Sequence, residues 1–109
     1  MDTFRAGAFV NSTLFIGVGG NLTPGLKINR FQATGFTGLV DEAFASSMVA
    51  ASIVGKVTLA SVDTSNGNVK FGVHGHERIG SVHVTNPAFV FDPNQPTPQG
   101  VGDFEVKLV

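Results

Sequence analysis

The sequence predicts an all-β protein, folded as a parallel β-helix of about three coils with a capping strand at its C-terminus, and three observations predict it. Apolar and polar residues alternate in short bursts, the period-two pattern of half-buried strands. Gly, Asn and Pro separate the bursts. Segments that resemble one another return after 22–33 residues, an interval suited to stacked repeats. A β-sandwich or jelly roll is the alternative. Asn66-Gly67 is a strong tight-turn signal, and a hairpin across it would make the neighbouring strands antiparallel.

Taken in order, the bursts are Leu14 to Val18, Lys27 to Ala33, Lys56 to Val62, Val69 to Val73, Ile79 to Val84, Phe89 to Phe91 and Phe104 to Leu108. Residues 39–45 compete for a helical turn, since Val40, Ala43 and Phe44 lie at helical spacing and Asp41-Glu42 suits a first turn. The tripeptides Ile16-Gly17-Val18, Val49-Ala50-Ala51 and Phe71-Gly72-Val73 align as repeats. Val54-Gly55-Lys56-Val57-Thr58-Leu59 matches Ile79-Gly80-Ser81-Val82-His83-Val84 at an offset of 25, with Leu26-Lys27-Ile28-Asn29 as a weaker counterpart. That offset predicts Val57 stacked on Val82 and Leu59 on Val84, with Val73 also inward. At the end, Phe104, Val106 and Leu108 alternate with Asp103, Glu105 and Lys107, which reads as a terminal edge strand. The N-terminus shows no equivalent cap, so association is expected through the segment around Phe4, Phe9 and Phe15.

A chain of 109 residues fits one domain, taken here as residues 1–109. It is 42% hydrophobic and only 14% charged, with 14 Gly, 10 Phe and no Tyr, Trp or Cys. Without Cys there is no disulfide framework, thiolate metal site or cysteine nucleophile. The formal charge of −1 supplies no electrostatic footprint for nucleic acid or anionic membrane, and no apolar run reaches the length of a membrane span. The start, Met1-Asp2-Thr3-Phe4-Arg5, does not read as a signal peptide.

The segments Ser46 to Leu59, Asn66-Gly67, Lys70 to Val73, Ile79 to Val84 and Gly102 to Val106 resemble the right-handed β-solenoid, adhesin-like repeats near the C-terminus of very large bacterial surface or secreted proteins. The resemblance covers about residues 9–109 and rests on spaced Gly, Ser and Val. It implies a structural or adhesive piece of a longer exported protein, at the cell surface or outside the cell. The implied partners are preceding coils or a second copy, with polysaccharide as a further partner.

No candidate catalytic, cofactor-binding or metal-binding residue emerges from the motifs, and the chain is read as a non-enzyme. His74-Gly75-His76-Glu77 has metal-ligand chemistry, but only His83 and distant acids are left as further ligands, so a polar bend is the better reading. Asp63-Thr64-Ser65-Asn66-Gly67-Asn68 spaces oxygen donors as calcium loops do, without the closing bidentate Glu. A carbohydrate- or calcium-binding sandwich is the functional alternative built on that loop. Gly17-Val18-Gly19-Gly20 lacks the Lys-Ser/Thr of a phosphate loop, and Asp41-Glu42 are adjacent acids that point apart. Lys70, Arg78 and Glu77 are too few for a polysaccharide-cleaving face. Asn11-Ser12-Thr13 and Asn21-Leu22-Thr23 are glycosylation-type triplets of a kind that chance supplies.

Overall fold

A computed structural model of the protein describes residues 3–18, 21–22, 25–35 and 43–108. These form eleven strands: β1 (Thr3–Ala6), β2 (Phe9–Val10), β3 (Thr13–Val18), β4 (Asn21–Leu22), β5 (Lys27–Ala33), β6 (Phe44–Ala45), β7 (Met48–Ser61), β8 (Phe71–Asn86), β9 (Phe89–Val90), β10 (Gln99–Val101) and β11 (Phe104–Leu108). The described residues contain no helix. Nine strands make one mostly parallel sheet in the order β1-β5-β7-β8-β11-β10, with β3 also on β7 and β9 also on β8, while β2 and β6 form a separate parallel pair. Among the described residues no sheet closes on itself.

The registers carry the expected stacking. Val57 pairs with Val82 and Leu59 with Val84, in parallel, and Ile28, Val54 and Ile79 form a further row across β5, β7 and β8. Val57, Leu59, Val73, Val82 and Val84 are all buried. The tripeptide alignment slips by two residues: Val49 meets Leu14 and Val73, not Ile16 and Phe71. A slip of two leaves every side chain on its own side of the sheet, so the apolar pattern could not detect it.

Three other expectations are corrected or fall outside the described residues. Asn66-Gly67 does form a turn, with Gly67 at φ 63 and the Val69 amide donating to the Asn66 carbonyl at 3.0 Å, but the strands flanking it run parallel. Of the helical turn within 39–45, residues 39–42 lie outside the described residues, and Phe44–Ala45 are strand. The strand at Phe104–Leu108 is not at the edge, because Gln99–Val101 pairs beyond it, antiparallel. Residues Met48 to Gly55, which lack clean alternation, are strand because both of their sides are largely covered, as the run of buried positions from Val49 to Ser52 shows.

The path between β7 and β8 requires a bent strand. Met48, at the start of β7, pairs with Gly72 at the start of β8. A straight strand of this length would extend ~43 Å at ~3.3 Å per residue. The connection from Ser61 to Phe71 reaches at most ~36 Å fully extended. One bend lies between Ala51 and Ile53, where Ser52 alone faces His76 and Glu77 in a bulge. Ser52 is fully buried, and its hydroxyl donates to Glu77 Oε2 at 3.1 Å, so the polar corner is satisfied. A second corner repeats one level apart: Phe9 pairs with Phe44 and Val10 with Ala45, after which Asn11 and Ser46 both take positive φ, 50 and 48. Ser47 Oγ then donates to the Ala45 carbonyl and accepts the Ser12 amide at 3.0 Å, locking the two turns together.

Seven of the described phenylalanines are joined by ring contacts into one continuous set. Phe4 stacks on Phe31 at 5.2 Å, Phe9 on Phe44 at 5.8 Å and Phe44 on Phe71 at 6.0 Å, while Phe104 meets Phe44, Phe71 and Phe89 edge-on. Each such pair adds roughly 0.5–1.5 kcal/mol beyond area burial. Of this set Phe9, Phe31, Phe44, Phe71 and Phe104 are buried. Phe15, outside it, is 40% exposed.

Candidate functional site

The acid-containing loop after β7 is built around a carboxylate from elsewhere in the chain. Asp103, 9% exposed, directs Oδ2 at the amides of Asn66 (2.6 Å) and Asn68 (3.1 Å), and Lys70 Nζ lies 4.0 Å from its Oδ1. Asp63 Oδ1 accepts the Ser65 amide at 2.9 Å, and Asn66 Oδ1 accepts from Ser46 Oγ at 2.6 Å. The oxygens spaced like calcium ligands therefore hold the turn itself. Sequence reasoning placed Asp103 on the solvent side of a terminal strand. A pair of amides 35 and 37 residues away leaves no local signal for it.

The histidines are not brought together. His74 is half-buried on β8, with Nε2 3.3 Å from Glu105 Oε1 on β11. His76 is exposed within the bulge, and Glu77 Oε2 turns to Ser52 and to the Gly25 amide at 3.1 Å. His83 lies further along β8, exposed on the opposite side of the strand from Val82 and Val84. Among the described residues no three His, Asp or Glu side chains gather as metal ligands. Lys70, Gln99, Gly102, Phe104 and Glu105 line a shallow cleft of about 180 Å³ beside the same end, open to solvent.

The outward side of β5, β7 and β8 holds a grouping that net charge concealed. Between the inward positions 28 and 31, 54 and 57, and 79 and 82, two residues face out on each strand. The second of them forms the row Thr3, Arg30, Lys56, Ser81, in register across β1, β5, β7 and β8. Two residues later comes Arg5, Gln32, Thr58, His83, with Arg5 Nε donating to Gln32 Oε1 at 2.8 Å. On the other side lie Lys27, Ile53 and Arg78. Five of the seven Lys and Arg residues thus lie at outward positions of these neighbouring strands, on both sides of the two-residue step. Arg30, Lys56 and Arg78 make no ion pair among the described residues. Glu77 borders this surface at the bulge, engaged as above. Asp92 lies past Ser81 at its far edge, with Oδ1 accepting the Asn94 amide at 2.9 Å. The signal was present in the sequence: once Ile28, Val54 and Ile79 are aligned, position +2 reads Arg, Lys, Ser.

Of the remaining motifs, Gly17-Val18 closes β3 and pairs with Asn21–Leu22, whereas Gly19-Gly20 and Asp41-Glu42 lie outside the described residues. Asn11 is an exposed corner residue. Comparison of the chain with protein-family models, curated proteins and solved structures gives no match.

Proposed function

We propose that these parallel registers are the coils of a right-handed β-helix, and that the chain is a non-enzymatic structural or adhesion module of a bacterial cell-surface or secreted protein. The supporting observation is the unlikeness of its two ends. At the C-terminal end the antiparallel strands β9 and β10 lie over β8 and β11, and the Gln99 side chain ties the intervening loop, donating to the Asp92 carbonyl at 2.7 Å and accepting the Asp92 amide at 3.0 Å. At the N-terminal end β1 pairs only with β5 among the described strands, and Val10 and Phe15 are exposed at 43% and 40%. A parallel stack with one covered end and one open strand edge is suited to continue onto further coils or a second copy. This reading places no catalytic residue in the chain.

Light scattering over rising concentration tests the open end. Association is expected at high micromolar concentration, weakened by Val10→Asp with Phe15→Asp and unaffected by Leu108→Asp. Phe9 is unsuitable for this purpose because it is buried between Phe4, Phe31 and Phe44. A parent chain that stays monomeric throughout, or one dissociated only by Leu108→Asp, contradicts the reading.

A further inference from the structure

We infer that the outward surface of β5, β7 and β8 binds an acidic polysaccharide, whose carboxylate or sulfate groups lie along Arg30 and Lys56 and are flanked by Arg5, Lys27 and Arg78. The inference rests on strand registers, and stands whether or not the chain is a β-helix module.

Like charges directly opposite each other on neighbouring strands repel. Arg30 and Lys56 are opposite in register, both exposed and without a carboxylate partner among the described residues. Strand spacing of about 4.8 Å brings their stems close together. A polyanion laid across the strands would neutralise both at once, and its affinity would carry a strong salt dependence. The described carboxylates that border this surface, Glu77 and Asp92, are hydrogen-bonded to other groups.

The rest of the surface decides between polyanions. The cations are interleaved with Thr3, Gln32, Thr58 and Ser81, whose hydroxyl and amide groups match the hydroxyls of a sugar chain. Single-stranded nucleic acid would need aromatic platforms for its bases, and no described phenylalanine projects from this side. Duplex DNA admits a helix or a two-stranded ribbon into its major groove, and four adjacent strands present too broad a face.

The test uses the full chain with polygalacturonate and heparin as probes, dextran as the neutral control and duplex DNA as the competing polyanion, at low ionic strength. At least one acidic glycan should bind, dextran should not, and the double variant Arg30→Ser, Lys56→Ser should bind about tenfold more weakly or worse. Lys107→Ser, exposed on β11 away from this surface, should bind as the parent does. Thermal melting of the double variant checks that its fold is retained, as expected for two exposed positions. Binding to neither glycan, affinity in the double variant within about twofold of the parent, or tighter binding to duplex DNA than to either glycan overturns the inference.

Discussion

On the inward side of β5, β7 and β8, Phe31, Val57 and Val82 meet in one row, all fully buried; one residue earlier, on the outward side, Arg30, Lys56 and Ser81 stack in the same registers. The same geometry has opposite consequences on the two sides. Inside, like against like is favourable, because each apolar side chain removes its neighbour's surface from water. Outside, like charges in register oppose the pairing that the inner row drives. Parallel stacking therefore extends any favourable or unfavourable choice across every strand. An outer row that works against stability is where a ligand has most to contribute.

Val57→Asp breaks the inner side most severely. The position is fully buried between Phe31 and Val82, so a carboxylate there would have no partner and no water. A loss of more than about 4 kcal/mol is expected, enough to unfold much of the chain at ambient temperature. Urea denaturation checks it. A variant that unfolds at the parent's midpoint would mean that position 57 does not face the core.

That inner side is also the part most legible in the sequence. Val54 to Leu59 and Ile79 to Val84 share both phase and offset, so their pairing followed from burial alone. Elsewhere the reading lacked a physical anchor. Leu14 to Val18 and Val49 to Ala51 could slide by two residues at no apolar cost, and did. Asn66-Gly67 specified a turn, but its place in the sheet depends on Asp103, far along the chain. Gln99–Val101 follows Pro96 and Pro98, which have no amide to give a ladder, yet it pairs antiparallel with Phe104 to Val106 as a three-residue strand. The outward cations escaped notice because a net charge of −1 averages over the surface, whereas register sorts charges by side.

Gly55→Ala sharpens the comparison at the boundary between the sides. An added Cβ at Gly55 would run into the Asn29 carbonyl of β5, and one at Gly80 would lie 2.5 Å from the Gly55 carbonyl of β7. Gly55 and Gly80 are the first of the two consecutive outward residues on their strands, where each strand bends to return its next side chain to the core. Backbone, not a flexible side chain, is in the way, so the strands would have to part. A cost of about 1–3 kcal/mol is expected for Gly55→Ala, read as a lower urea midpoint with an unchanged slope. An unchanged midpoint would show that the bend can relax without disturbing β5.

Lys56→Glu tests the outer side and has the smallest expected effect, with the opposite sign. Glu at this position would stand between Arg30 of β5 and Ser81 of β8, converting a repulsive neighbour into an attractive one. Cross-strand charge pairs of this kind contribute roughly 0.2–1 kcal/mol, so the urea midpoint should rise slightly at low salt. At 1 M salt, where screening acts over ~3 Å, the gain should disappear. Binding of acidic glycan should fall in the same variant, separating the demand of the ligand from the demand of the fold. A variant no more stable than the parent at low salt would mean that Arg30 and Lys56 do not repel, and that their shared row carries no penalty for a polyanion to relieve.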